Sequence, residues 1–202
     1  MKSLREQFED DYMAVSVPAN NKDGFQIKYV YYGPWYIWEL PEKELKRKKG
    51  LKRKKGLFAG VSLGSLLLYV LAGVQYCLAN SQAIVTVAGI LALCAHVFEI
   101  FHAFEFLFAK YRTSRLTYRN VNRSLRTAPA IRGACLLTAS VFSGLSMVWN
   151  GWEIRSFFAA ADYLICAAAA FWIFAEYRMI PFTTEKNENP VLEGANWTGE
   201  KE

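Results

Sequence analysis

The chain has 202 residues, of which 53% are hydrophobic and 15% aromatic, and a formal net charge of +6. This length suits one or two soluble domains, but long apolar runs alternate with short basic ones, a pattern typical of proteins that cross a membrane several times. The 4 cysteines fall in different apolar runs without a CxxC pair, which excludes a disulfide framework or a cysteine-only metal site.

A polar segment and then an aromatic segment precede the first apolar run. Residues 1–24 are polar and lean acidic, and we expect them to be poorly ordered. No cleavable signal peptide is visible, so the first apolar run is expected to target the chain and to remain as a span. Residues 25–40 are rich in aromatic side chains around a Gly33-Pro34 turn signal. They are predicted either to lie at the headgroup level of a membrane or to form a short hairpin.

A tandem repeat, LKRKKG, occupies residues 45–50 and 51–56 and completes an aromatic and polybasic juxtamembrane segment over residues 25–56. A basic run of this kind can bind nucleic acid, but directly before an apolar span it is better explained by membrane orientation and attraction to anionic headgroups. We therefore predict no nucleic-acid partner. The cations of the repeat are Lys46, Arg47, Lys48, Lys49, Lys52, Arg53, Lys54 and Lys55.

Four apolar runs have about the twenty residues that a helix needs to cross the hydrocarbon core of a membrane. The predicted spans are residues 57–78, 84–109, 131–149 and 157–175. The predicted fold class is an all-α membrane protein with a four-helix transmembrane bundle over residues 57–175. A polar C-terminal tail follows over residues 176–202.

The positive charges predict the orientation of this bundle. The stretch from Lys110 to Arg132, which leads from the second span into the third, contains seven basic residues and no acid. The other two links are short and almost uncharged. By the positive-inside rule, we expect a multi-pass protein of the cell membrane with both termini cytoplasmic (N-in/C-in).

The same link contains five arginines at helical spacing: Arg112, Arg115, Arg119, Arg123 and Arg126. Steps of three and four residues place them in one narrow arc of a helix, with Tyr118, Val121 and Leu125 on the opposite side. The second span is therefore predicted to continue as a cytoplasmic helix that ends before Pro129. Its arginines are suited to bind lipid phosphates or an acidic partner protein. The alternative is a solvated loop whose spacing is accidental.

The second span contains four ionisable residues at intervals of three: His96, Glu99, His102 and Glu105. Ionisable side chains are rare inside a membrane, and residues at this spacing can touch on a helix. His96 and Glu99 are expected in the inner half of the core, and the other two near the headgroups. The candidate intramembrane site also includes Ser140 and Ser143 of the third span and Asp162 of the fourth.

Several interpretations of this site stay open. Close packing of the second and third spans would place a serine hydroxyl on Glu99 or His96, and Gly60-x-x-x-Gly64 gives weak support to close packing within the bundle or between copies. Glu99-x-x-His102 also has the spacing used in di-metal bundles, although the chain has one copy of it and a second would have to come from a symmetric dimer. We predict neither a metal nor a cofactor.

Function is predicted only at the level of class. The sequence contains no nucleotide-binding, metalloprotease or nucleophile-elbow motif, so no enzyme activity is predicted. The leading hypothesis is a non-catalytic accessory, scaffold or assembly subunit whose basic cytoplasmic face docks another membrane protein or anionic lipid. The alternative is a small proton- or cation-coupled transporter, a homo-oligomer, that uses Glu99 and His96. The two hypotheses differ in whether Glu99 faces a wet cavity or a neighbouring helix.

Overall fold

The computed structural model describes residues 11–18, 25–38, 50–110 and 112–187. Within this part of the chain the helices and strands divide into two compact units. The helices are α1 (Gly50–Gly73), α2 (Ala83–Phe108), α3 (Arg115–Asn150) and α4 (Ile154–Arg178). The strands are β1 (Tyr12–Pro18), β2 (Phe25–Tyr31), β3 (Trp35–Trp38), β4 (Arg112–Thr113) and β5 (Phe182–Glu185).

All four helices are long and apolar enough to cross a membrane. Only 28% to 33% of the most apolar window of each helix is buried within the chain. Large aliphatic side chains such as Leu67 of α1 and Ile90 of α2 are exposed instead. An apolar exterior of this extent suits contact with lipid rather than with water. The prediction of a mostly helical, multi-pass membrane protein is confirmed at this level.

Helix α1 includes part of the LKRKKG repeat. It is described from Gly50, so the second copy of the repeat is helical, and it ends at Gly73, before the predicted end of the first span. The link to α2 therefore covers residues 74–82. Asn80 holds this link, because its side-chain amide donates to the carbonyl oxygens of Ala72 and Gln75 at 2.8 and 2.9 Å.

The arginine-rich link is organised differently from the prediction. Helix α2 ends at Phe108, and most of the arginine-rich segment forms the first half of α3. This 36-residue helix continues through Pro129 to Asn150, so the prediction of a helix that ends before Pro129 is wrong. Proline removes one backbone donor, and a membrane helix tolerates this when neighbouring groups satisfy the freed carbonyl. The Pro129 side chain is fully buried.

Small side chains dominate the places where the helices meet. The core of the helical unit, which comprises described residues between 50 and 181 other than 110–118, is rich in alanine. At Gly133 of α3, an added Cβ would lie 2.9 Å from Cζ of Phe171 in α4, so this ring packs directly against the α3 backbone. An added Cβ at Gly60 or Gly64 would meet nothing within 4 Å in the described chain. The GxxxG motif therefore packs no helix within this bundle, and a role between copies stays a prediction.

The strands belong to the second unit, called here the β unit. Strands β1 and β2 form an antiparallel hairpin in which Tyr12 pairs with Tyr31, while β3 pairs with both β4 and β5. Residues 12–18, expected to be poorly ordered, are thus a strand, and residues 25–38 contribute to two sheets rather than to one hairpin around Gly33. The position of this segment relative to the headgroups stays a prediction.

Aromatic side chains pack against one another in the β unit. The ring of Tyr118 stacks on Tyr36 with centroids 4.4 Å apart and packs against Phe182 at 4.8 Å. The Tyr31 hydroxyl donates to the carbonyl of Pro34 at 2.6 Å and accepts from the backbone N–H of Arg115 at 2.8 Å. Burial raises the pKa of Tyr31 to about 12.

Candidate functional site

A buried ion pair lies at the centre of the candidate intramembrane site. Glu99 of α2 and Arg132 of α3 both have side chains that are 0% exposed, and Nε of Arg132 lies 3.1 Å from Oε2 of Glu99. The hydroxyl of Ser62 in α1 donates to the other carboxylate oxygen at 2.7 Å. Two opposite charges and one hydroxyl therefore connect three helices inside the bundle. Such a pair neutralises charges that would be costly if buried alone.

His96 contacts the same guanidinium. Nη1 of Arg132 donates to Oγ of Ser65 at 2.9 Å and also contacts Nε2 of His96. This imidazole nitrogen lies 3.0 Å from the carbonyl oxygen of Ser62 as well. The guanidinium can only donate to this nitrogen and the Ser62 carbonyl can only accept from it, so the two contacts favour opposite tautomers of a neutral His96. A neutral His96 is the form that fits beside a buried cation.

Three members of this cluster are missed by the sequence prediction. The charge pattern groups Arg132 with the basic link, and a serine partner for Glu99 or His96 is expected from the third span rather than from Ser62 or Ser65 of α1. One signal for Arg132 is present in the sequence. It is the second residue of the predicted third span, and a cation inside an apolar run calls for an acidic partner at similar depth.

The serines predicted from the third span make other contacts. Ser140 donates to the carbonyl of Ala160 in α4 at 2.8 Å. Ser143 is fully buried, and its hydroxyl has no hydrogen-bond partner among the described residues. Asp162 is half-buried, and no described residue forms an ion pair with it. The structure therefore does not bring these three residues into the cluster around Glu99.

His102 and Glu105 form a separate pair on α2. Nε2 of His102 lies 3.8 Å from Oε2 of Glu105, and its Nδ1 contacts the carbonyl of Phe98 at 2.8 Å. The described residues contain no group of three His, Cys, Asp or Glu side chains placed to hold a metal ion. The Glu99-x-x-His102 motif thus has its two members in different local environments.

The predicted arginine stripe divides between the two units. In the β unit, Arg112 pairs with Glu185 at 2.9 Å and Arg115 with Asp11 at 3.7 Å. In the helical unit, three arginines of α3 are exposed along one side; we call them the arginine face: Arg119, Arg123 and Arg126. Val121 and Leu125, on the opposite side of the same helix, are fully buried. The predicted arc is thus the outward side of α3.

The LKRKKG repeat is described only in its second copy. Lys46, Arg47, Lys48 and Lys49 lie outside the described residues. Lys52 and Arg53 are exposed at the start of α1, whereas Lys54 lies 3.7 Å from the carboxylate of Glu176 in α4.

Lys55 has a different role from the other cations of the repeat. It is only 4% exposed, and its ammonium donates to the carbonyl oxygen of Ala109 at 2.7 Å. Ala109 directly follows Phe108, the last residue of α2, and its carbonyl carries part of the negative end of the helix dipole. Lys55 therefore caps a neighbouring helix, and the headgroup contact predicted for it would require this bond to break.

The fold and composition define the class of protein: a multi-pass membrane protein, whose described residues include four helices long and apolar enough to cross a membrane. Comparison with protein-family models, curated proteins and solved structures gives no match for this chain. A proposal for its function therefore rests on the side chains themselves.

Proposed function

We propose that the chain is a non-catalytic accessory, scaffold or assembly subunit of a membrane complex, and that it docks an acidic partner on its arginine face. The observation that carries this proposal is the exposure of all three arginines along one side of α3. Arg123 and Arg126 form no ion pair with any described residue. A packed helix that presents guanidinium groups outward offers ordered donors to carboxylates or phosphates.

The proposed location is the cell membrane, with both termini and the arginine face in the cytoplasm. The helix bounds support this orientation, because the links at residues 74–82 and 151–153 contain Glu153 as their only charged residue. The opposite ends of the helices carry the LKRKKG repeat and the arginine face. Short links with such an imbalance of Lys and Arg normally place the basic side in the cytoplasm.

The buried cluster favours a structural role for Glu99 over the coupled-transport alternative. A carboxylate that binds and releases a proton or cation needs access to water, whereas Glu99 is 0% exposed and faces Ser62 and Arg132 of neighbouring helices. A buried ion pair between helices favours one arrangement of the faces that meet. In this proposal the cluster holds the bundle in one arrangement, and docking uses the arginine face.

The test compares co-purification from the native membrane of three tagged proteins. These are the wild type, an Arg123→Gln/Arg126→Gln variant and a Lys52→Gln/Arg53→Gln control that removes the same charge from exposed positions of α1. We expect one foreign subunit at constant stoichiometry with the wild type and the control. The yield of this subunit should fall about tenfold with the Arg123→Gln/Arg126→Gln variant. With the wild type, the yield should also fall as the salt concentration rises, because salt screens the contact. An equal yield from all three proteins, or no foreign subunit, would refute the proposal.

A further inference from the structure

A groove between α2 and α3 lies at the membrane end of the arginine face. Its volume is about 290 Å³, which is the volume of roughly ten water molecules in the liquid. The residues that line it run along α3 from Asn120 to Ile131, a rise of roughly 16 Å. The groove belongs entirely to the helical unit.

The chemistry of the groove changes along its length. Asn120 and Arg123 line one end, near His102 of the antiparallel helix α2. Ala95 and Ile131 line the other end, with Phe98 between the two ends. A cation with amide donors thus lies beside an apolar floor.

The donors at the polar end are available to a ligand. Arg123 forms no ion pair with any described residue, and no described residue accepts a hydrogen bond from the Asn120 amide. Two hydroxyls of the groove, by contrast, donate to the backbone of its own walls: Ser124 to Phe98 at 3.5 Å and Thr127 to Arg123 at 2.8 Å. Arg123 and Asn120 are therefore the groups that would meet an anion.

We propose that this groove binds one anionic glycerophospholipid, with its phosphate on Arg123 and Asn120 and an acyl chain against Phe98 and Ile131. The inference rests on the proposed function for its orientation, because the groove must open at a leaflet that contains anionic lipid. Charge complementarity selects this occupant: a phosphate matches the guanidinium, and the chain attached to it matches the apolar floor. A soluble phosphate would leave the floor exposed, and an acidic partner docked on the arginine face would pair Arg123 without covering the apolar floor.

The first test measures lipid binding to the full chain by native mass spectrometry in detergent. Phosphatidylglycerol is the probe, and phosphatidylcholine is its zwitterionic counterpart. We expect Arg123→Gln to weaken phosphatidylglycerol binding by about tenfold, the effect of one charge-assisted contact. Arg126→Gln is the matched control, because Arg126 is exposed on the same helix and does not line the groove. Equal effects of the two variants, or equal binding of both lipids, would overturn the proposal.

A second variant separates this proposal from partner docking. Thr127→Trp fills the groove from its exposed edge without removing a charge, so phosphatidylglycerol binding should be lost while partner capture persists. Retained lipid binding in Thr127→Trp overturns the lipid site whatever the partner does. Partner capture that stays normal in the Arg123→Gln/Arg126→Gln variant refutes the docking surface instead. Glycerol phosphate without acyl chains should bind far more weakly than the lipid, and equal binding would contradict the apolar half of the site.

Discussion

Removal of one charge from the Glu99–Arg132 pair should destabilise the bundle more than removal of both. Glu99→Gln keeps the shape of the side chain and an acceptor for the Ser62 hydroxyl, but it leaves the Arg132 guanidinium buried without a counterion. Arg132→Met instead leaves the Glu99 carboxylate buried without a counterion. The double variant leaves no uncompensated charge, because glutamine and methionine are both neutral.

The geometry gives the size of this effect. The charged atoms are 3.1 Å apart and both side chains are 0% exposed. At an effective dielectric constant of about 20, Coulomb's law gives roughly 5 kcal/mol for this separation. Loss of one partner from a buried pair typically destabilises a protein by about 3–5 kcal/mol. We therefore expect each single variant to lose about 3–5 kcal/mol and the double variant to lose less than either single variant, because neutral replacement of a whole buried pair often changes stability little.

The assay is reversible unfolding of the purified protein in mixed micelles, followed by tryptophan fluorescence and far-ultraviolet circular dichroism. Both probes must report the same transition before free energies are compared. Asp162→Asn is the control, because it removes a carboxylate from α4 that forms no ion pair with a described residue. Additive losses in the double variant would refute the reasoning. A Glu99→Gln protein as stable as the wild type would refute it too.

Three further predictions concern other contacts. Gly133→Ala should be less stable than Gly144→Ala by about 1–3 kcal/mol in the same unfolding assay, because only the first Cβ overlaps a neighbouring ring. Lys55→Met should destabilise the protein by about 1–2 kcal/mol relative to the exposed Lys52→Met, because it loses the cap on α2. Burial raises the pKa of Tyr31 from 10.0 to about 12 and so favours its neutral form in the folded state. The stability from this shift is present below pH 10 and is lost as the pH rises from 10 to 12. The free energy of unfolding should therefore fall less steeply over this range in Tyr31→Phe, and an unchanged slope would contradict the assignment.

The helices are predictable from the sequence because length and hydropathy determine them locally. The ends of the helices are less predictable. Lysine and arginine are good helix formers, and α1 therefore extends beyond its apolar run into the LKRKKG repeat. The passage of α3 through Pro129 depends on neighbouring groups that the local sequence does not identify.

The strands depend on contacts between distant parts of the chain. Tyr36 of β3 pairs with Thr113 on one side and with Thr184 on the other. Both partners belong to short polar segments without the alternation that marks a strand, so a local pattern does not reveal them. The hairpin of β1 and β2 also includes residues that a polar, acidic composition marks as poorly ordered.

The candidate site is predictable in part, for a physical reason. Glu99 and His96 stand out because ionisable groups are rare in apolar runs. Arg132 lies where a basic link passes into a span. The order of charges along the sequence does not show whether its guanidinium lies in the basic link region or inside the bundle. Ser62 and Ser65 are inconspicuous because serine is common in membrane helices. Their role appears only when three helices are packed together.

Native mass spectrometry of the protein released gently from its own membrane tests the central proposal most directly. The account predicts a complex whose mass equals this chain plus a different subunit at fixed stoichiometry, which dissociates in the Arg123→Gln/Arg126→Gln variant and persists in the Lys52→Gln/Arg53→Gln control. A symmetric oligomer of this chain alone, unaffected by either pair of substitutions, would contradict the accessory-subunit account. It would direct attention to Glu99 and His96 as a transport site.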